Sequence, residues 1–259
     1  MNRRELNALL AAVSMTGMLP IAASAQQAGA PPRTRVGMLI HPDMILLDLV
    51  GPLTVFNIMQ VDVRLIARSE QPAKTDVGIP VAPTDTFASA PQELDVLFVP
   101  GGLKGTVDAM RDPDTLQFLE TRGKSARFVT SVCTGSLLLG AAGLLNGYEA
   151  TSHWYVRDFL PLMGARVKKD RVVADRNRIT GGGVTAGLDF GLTIAAKLGG
   201  EDLAKRIQLL LEYDPKPPFE AGSPERAGGA LTDDILKRRN AVIREAESEA
   251  RKAGGRLKI

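Results

Sequence analysis

Cysteine is nearly missing from this chain: Cys133 is the only one in 259 residues, so no intrachain disulfide can form. Histidine is almost as scarce. With only His41 and His153 present, a three-histidine metal site is impossible, and two His, one Cys and a carboxylate show no recognisable zinc spacing. Neither sign of charge is in clear excess. The formal charge of +3 drops to +2 if two arginines and one glutamate, Arg3, Arg4 and Glu5, leave with the N-terminal segment described below. No basic stripe is clustered outside the final helix, which argues against a nucleic-acid footprint. Gly181-Gly182-Gly183 is not a G-x-G-x-x-G phosphate loop and stands at the wrong end of the chain for a dinucleotide fingerprint. Long apolar runs are missing too. The one weakly apolar stretch, Ala8 to Ala23, is broken by Ser14, Thr16, Gly17 and Pro20 and is too short to span a bilayer stably.

That stretch has another reading. Paired Arg3-Arg4 precede it and Ala23-Ser24-Ala25 follows it, giving the three regions of a cleavable signal peptide over residues 1–25. The arginine pair suggests the twin-arginine route, although Asn2 and Asn7 depart from its fuller pattern. The expectation is a periplasmic protein with no membrane association after the signal is removed. Residues 26–33, rich in Ala, Gly and Pro, read as a flexible mature N-terminus. A cysteine kept alone in an oxidising compartment tilts toward a chemical role.

What surrounds Cys133 sharpens that role. A β-branched run, Phe128 to Val132, leads into it, and Thr134-Gly135-Ser136-Leu137-Leu138-Leu139 leaves it. Small residues at minus two (Ser131) and plus two (Gly135) follow the logic of a nucleophile elbow, a sharp strand-to-helix turn. Such a turn presents the thiol to solvent, and the next helix N-terminus favours the thiolate. A buried structural cysteine explains the spacing equally well.

Apolar runs bounded by turns alternate with helical patterns along the rest of the chain, the mark of a mainly parallel sheet covered on both faces. Strands are expected over 35–40, 61–67, 95–99 and 128–132, with peripheral β structure over 77–87, a short strand over 149–152 and a hairpin formed by 171–175 and 178–180. Helices are expected over 49–59 (Pro52 in the first turn), 114–122, 135–142, 154–163, 186–197 and 201–212. The last of these places Leu203, Ile207, Leu210 and Leu211 on one face. Residues 214–229, rich in Pro and Gly, read as an extended surface segment. A tail helix is expected to start at an N-cap, Thr232, and to carry an apolar stripe from Ile235 to Ala246. This stripe needs cover from its own domain or from a partner. The organisation is one α/β domain over 34–230 followed by an amphipathic helix and tail over 231–259.

One further feature falls where open α/β sheets place their sites, beyond the carboxyl end of a strand. Gly101-Gly102 follow the strand 95–99; they are either a plain tight turn or a close backbone approach offering N–H groups to an oxyanion. Asp48 stands in the apolar run Leu46-Leu47-Asp48-Leu49-Val50-Gly51-Pro52. It is a helix N-cap or an acid whose pKa burial raises, and the two can coexist.

Together, Leu47-Asp48-Leu49-Val50-Gly51-Pro52, Pro100-Gly101-Gly102, Thr130-Ser131-Val132-Cys133-Thr134-Gly135-Ser136, Thr151-Ser152-His153-Trp154 and Thr180-Gly181-Gly182-Gly183-Val184-Thr185-Ala186-Gly187 resemble the ThiJ/PfpI superfamily. Within it, the isonitrile hydratase branch is the nearest likeness, strengthened by Leu211-Glu212-Tyr213-Asp214-Pro215 and the run Pro217 to Pro224. The likeness extends from about Arg35 to Ala246. It implies a flavodoxin-like α/β sandwich, a homodimer, and a lyase that hydrates a small-molecule isonitrile to an N-substituted formamide without metal or organic cofactor. The family's nucleophile falls on Cys133, and the isonitrile hydratases' other two residues on Asp48 and Thr134. Peptidase members carry a histidine after the nucleophile, where Thr134 stands here. The expected scheme has a Cys133 thiolate attacking the isonitrile carbon while protonated Asp48 supplies its proton. Gly102, with Gly101, is expected to offer N–H donors, and His153 a supporting role. Two alternatives stand beside it: another cysteine enzyme of the superfamily acting on glyoxals, and the ligand-sensing half of an AraC-type regulator. The second requires two helix-turn-helix units, and only one helix follows Thr232.

Overall fold

The computed structural model describes residues 33–259; the expected leader, and the mature N-terminus as far as Pro32, lie outside the described residues. The chain enters through β1 (Arg35–Leu39) and α1 (Leu46–Ile58), then β2 (Asp62–Ala67). The short pieces β3 (Ala73–Lys74), β4 (Pro80–Val81) and β5 (Asp85–Thr86) follow. Next come β6 (Val96–Val99), α2 (Leu103–Arg111), α3 (Pro113–Ser125), β7 (Phe128–Ser131) and α4 (Gly135–Ala141). The second half holds β8 (Glu149–Ala150), a 3-10 helix (Arg157–Met163), β9 (Arg166–Val167), β10 (Val172–Asp175) and β11 (Arg178–Gly181). It closes with α5 (Ala186–Gly199), α6 (Glu201–Leu210), α7 (Pro224–Ala227) and α8 (Gly229–Leu257).

Seven strands form the central sheet in the order β10-β11-β7-β6-β1-β2-β5. Every neighbouring pair is parallel except the β10–β11 hairpin. Strand alternation divides the core. Val36, Met38, Val96 and Phe98 face α1 and α5, meeting Leu49, Phe56, Phe190 and Ile194. Leu39, Leu97, Val99 and Val129 face the other way, toward the helices α2, α3, α4 and α8. Both faces are therefore covered, as the flavodoxin-like expectation requires. From β1 the chain builds outward to β2 and β5, then returns to β1's other side for β6, β7 and β11. The order reverses between β1 and β6, and the crevice at that switch is where such sheets bind ligands.

Several local expectations are corrected. Pro52 is inside α1, not in its first turn. The helix starts earlier because the Asp76 carboxylate, from the turn between β3 and β4, accepts the Leu46 N–H at 2.9 Å and so caps the helix from outside. Asp48 accordingly lies in the first turn and is not the N-cap, which is Ile45. The helix expected over 154–163 is a shorter 3-10 helix containing Pro161, since proline cannot supply an α-helical N–H. Thr232 is not a cap either. The tail helix begins at Gly229, and the Thr232 hydroxyl donates back to the Gly228 carbonyl. Leu210 is exposed, while Leu203, Ile207 and Leu211 pack toward α1 and α5. The segment 214–229 contains one helical turn, α7. The later part of the α8 stripe is covered by its own chain: Val242, Ile243 and Ala246 join the core, and Ala250 and Ala253 extend it, while Ile235 and Leu236 stay half-buried.

Candidate active site

Four loops beyond the carboxyl ends of β1, β6, β7 and β11 converge at the switch. The loop after β7 carries Cys133, whose φ of 54° is left-handed and uncommon for a residue with a side chain. Neighbouring loops hold it there. Its N–H donates to Gly182 O at 2.7 Å. Its carbonyl accepts from His153 N–H at 3.2 Å and from Ser152 Oγ at 2.9 Å. This is the elbow geometry expected from the small flanking residues. Gly135 permits it, since a side chain there would strike the Val99 carbonyl oxygen.

Asp48 reaches the same point from α1. Its Oδ2 accepts the Gly101 N–H at 2.8 Å, and its carboxyl lies close enough to the Cys133 thiol for each to shift the other's pKa. Gly101 must be glycine: a Cβ would stand 2.5 Å from Thr134 N and 2.8 Å from both Asp48 Oδ2 and Cys133 Cβ. Gly102, at φ 129°, donates its N–H to Thr134 Oγ1 at 2.9 Å. Thr134 Oγ1 also lies 2.7 Å from Thr106 Oγ1. The two glycine N–H groups expected to face an oxyanion are thus engaged: Gly101 holds the acid and Gly102 holds Thr134. The N–H groups of Thr134 and Gly102 also stabilise negative charge on the Cys133 sulfur.

Electrostatics reverse one expectation. Cys133 is buried, not presented to solvent. Burial, then the Asp48 charge, pushes its thiol well above the ordinary range, outweighing the Thr134 and Gly102 N–H groups. The resting group is a thiol. Asp48 has no solvent exposure, and burial raises its pKa to about 7 against the lowering pull of Gly101 N–H and Cys133. The acid with a raised pKa is the reading of Asp48 that the geometry favours. Its second oxygen, Oδ1, is buried without a partner.

His153 is beside the elbow through its backbone. Its ring lies against that of Tyr155, the centroids 3.7 Å apart and the planes tilted by 34°. Burial, and then the charges of Arg239 and Arg157, lower its pKa to about 4, so it is neutral. Tyr155 is close enough to Cys133 and Asp48 for their charges to raise its own pKa further beyond what burial does. Among the described residues, no group of three His, Cys, Asp or Glu side chains is arranged to hold a metal ion. Thr106, Ser152, Asp76 and Tyr155 are the site neighbours that the sequence pattern did not single out. For Thr106 the only available signal was its place three residues after the buried Leu103.

An elbow cysteine paired with a buried acid at the switch of a flavodoxin-like sheet defines a class, and residues 34–197 match the model of the DJ-1/PfpI family. The chain belongs to that family. It is 45% identical over 226 residues to isonitrile hydratase of Pseudomonas putida, which covers 87% of this chain and 98% of that protein. A crystal structure of a ThiJ/PfpI family protein from Pseudomonas syringae superposes with a TM-score of 0.82 at 44% identity, covering 93% of this chain and 99% of the other. The HTH-type transcriptional regulator GbdR of Pseudomonas aeruginosa is 29% identical over 204 residues, 72% of this chain but 53% of the regulator.

Proposed function

We propose that this protein hydrates an isonitrile to an N-substituted formamide, with Cys133 as nucleophile and Asp48 as proton carrier. The observation that carries the reading is the buried pairing of Cys133 with an acid whose pKa is raised to about 7, the two side chains meeting over Gly101. The 45% identity to isonitrile hydratase supports the substrate class. In the ionised form, which a pKa of about 7 leaves populated at neutral pH, Asp48 takes the thiol proton as sulfur bonds to the terminal isonitrile carbon, and delivers that proton to the same carbon. A thioimidate, R–N=CH–S–Cys133, results. Asp48, ionised again, takes a proton from water as the hydroxyl adds to the thioimidate carbon and passes that proton to the nitrogen. The C–S bond then breaks, the formamide R–NH–CHO leaves, and Asp48 carries the hydroxyl proton back to sulfur. The balance is one isonitrile plus one water. A pKa near neutrality suits a group that both accepts and donates in one cycle. Thr134, braced by Gly102 N–H and Thr106, gives its backbone N–H to the developing negative charge on sulfur.

Formamide formation from a panel of aryl and alkyl isonitriles tests the reading. Folded Cys133→Ala is expected to lose turnover entirely, Asp48→Asn to lose it severely, and the double variant to be no worse than the worse single. A folded Cys133→Ala protein with undiminished hydration refutes covalent catalysis. Export to the periplasm and assembly as a homodimer belong to the same proposal. The exposed apolar Leu47 and Val50 on α1, beside Val77 and Ile79 on the turn that caps it, support a second copy covering that face. Light scattering that gives a monomer mass at micromolar concentration refutes the dimer.

A further inference from the structure

The run Leu211-Glu212-Tyr213-Asp214-Pro215 takes no part in the reaction scheme, yet the chain is bent to place its tyrosine. Glu212 is left-handed at φ 49°, an uncommon state for a residue with a side chain. Two hydrogen bonds with Gln208 fasten the bend: Tyr213 N–H donates to the Gln208 carbonyl at 3.1 Å, and Gln208 Nε2 donates to the Tyr213 carbonyl at 3.2 Å. The Tyr213 hydroxyl then donates to Asp189 Oδ2 at 2.8 Å. That same oxygen accepts Arg171 Nε at 2.7 Å, and Arg171 Nη2 donates to Thr185 Oγ1 at 3.2 Å. Three segments far apart in sequence are thus tied at one carboxylate: the approach to β10, the first turn of α5 and the bend after α6.

From Arg171 the line runs through backbone to the nucleophile. The Arg171 carbonyl accepts the Gly182 N–H at 2.9 Å, and the Gly182 carbonyl accepts the Cys133 N–H at 2.7 Å. Arg171 needs an anchor outside the sheet. It immediately precedes β10, the end strand, which among the described residues pairs with β11 alone, and such edges open at lower free energy than the centre of a sheet. Cys133 needs the anchor too, because a left-handed residue with a side chain persists only where its surroundings hold it.

We infer that Asp189, with Arg171 and Tyr213, is a positioning clamp for the nucleophile: it fixes the Gly182 turn, and through that turn the direction of the Cys133 side chain toward Asp48. The inference rests on the reading of Cys133 as nucleophile and assigns no bond-making to the three residues. The Arg171–Asp189 ion pair is partly exposed and adds little to global stability. Loss of the clamp therefore shows in turnover rather than in folding.

The test uses the full protein, in which alkylation by iodoacetamide reads Cys133 alone because there is no other cysteine. Asp189→Ala is expected to lower kcat for isonitrile hydration about ten- to hundredfold with KM within about twofold. It is also expected to speed alkylation at least about threefold as the turn loosens. Asp189→Asn, whose amide oxygen still accepts both donors, restores part of each, and Tyr213→Phe, lacking one hydroxyl, falls between Asp189→Ala and the wild type. Folded Asp189→Ala with wild-type kcat and alkylation overturns the clamp. So does alkylation that climbs with urea at the full unfolding slope, which means labelling through global unfolding. Where Asp189→Ala fails to fold, Tyr213→Phe decides, and unchanged alkylation there overturns the clamp. Alkylation that responds to Asp189→Ala in a protein without isonitrile turnover refutes the reaction and upholds the clamp.

Discussion

Asp48→Asn is expected to make the protein more stable while it removes most of its activity, and the gain should depend on pH in a defined way. Asp48 is fully buried and keeps its proton up to about pH 7, whereas an ordinary aspartate releases it near 3.8. Between those values the folded state binds one proton that the unfolded chain does not. The contribution of a raised pKa is complete below the unfolded value and is lost as pH rises through the folded one. Wild-type stability therefore falls by about 1.4 kcal/mol per pH unit from this group across the window, about 4 kcal/mol in all, and levels off above it. Asparagine preserves the acceptor for Gly101 N–H and carries no charge to desolvate. The two proteins should be close in stability near pH 4.5, and Asp48→Asn should lead by up to about 4 kcal/mol at pH 8. Lowered pKa values at His41 and His153 act in the opposite sense, their stability being lost as pH falls below about 6.5. They are common to both proteins and cancel in the difference. Urea unfolding at pH 4.5, 6, 7 and 8 gives that difference directly. A gap that does not vary with pH, or a variant less stable at pH 8, refutes the buried, protonated Asp48.

Other outcomes follow from the same geometry. Cys133, buried with its thiol pKa raised, should react with iodoacetamide at pH 8 at least about tenfold slower than a free cysteine; labelling at the free rate refutes the resting thiol. Gly101→Ala forces a Cβ against Thr134 N, Asp48 and Cys133, so a loss of about 2 kcal/mol or more in stability together with most activity is expected. Wild-type denaturation and turnover in that variant contradict the close packing. Mature protein from the periplasm should begin at Gln26, and Arg3→Lys with Arg4→Lys should block export by the twin-arginine route. Intact Met1 on a protein confined to the cytoplasm refutes export.

The sheet was legible wherever a buried strand needed an unbroken apolar run, as at 96–99 and 128–131, and the β10–β11 hairpin showed in the Asp175-Arg176-Asn177 turn. Cys133, Gly101 and Asp48 were legible as positions because each stands at a break between such a run and a helix. Their electrostatic state was not. The elbow predicted a solvent-facing thiolate, but the loops that bury Cys133 come from residues up to 85 positions earlier, at Asp48, and 49 later, at Gly182. Helix α2 escaped notice because Gly105 interrupts its apolar pattern. That glycine lets α2 approach the Pro42 carbonyl and so brings Thr106 to Thr134. The start of α1 was misplaced for a similar reason, since its cap comes from Asp76, 30 residues away.

That remote cap ties the chemistry to a part of the molecule that does none. Asp76 belongs to the two-stranded β3–β4 excursion, a pairing of only two residues per strand, and its N–H also holds the Met44 carbonyl. So small a ladder opens at far lower free energy than the main sheet. Each opening releases the Leu46 N–H and loosens the turn that carries Asp48, while Cys133 stays anchored by β7 and β11. Mild warming or low denaturant will therefore silence the enzyme before the core melts, and amide exchange at Leu46 will report the loss of competence ahead of any global probe.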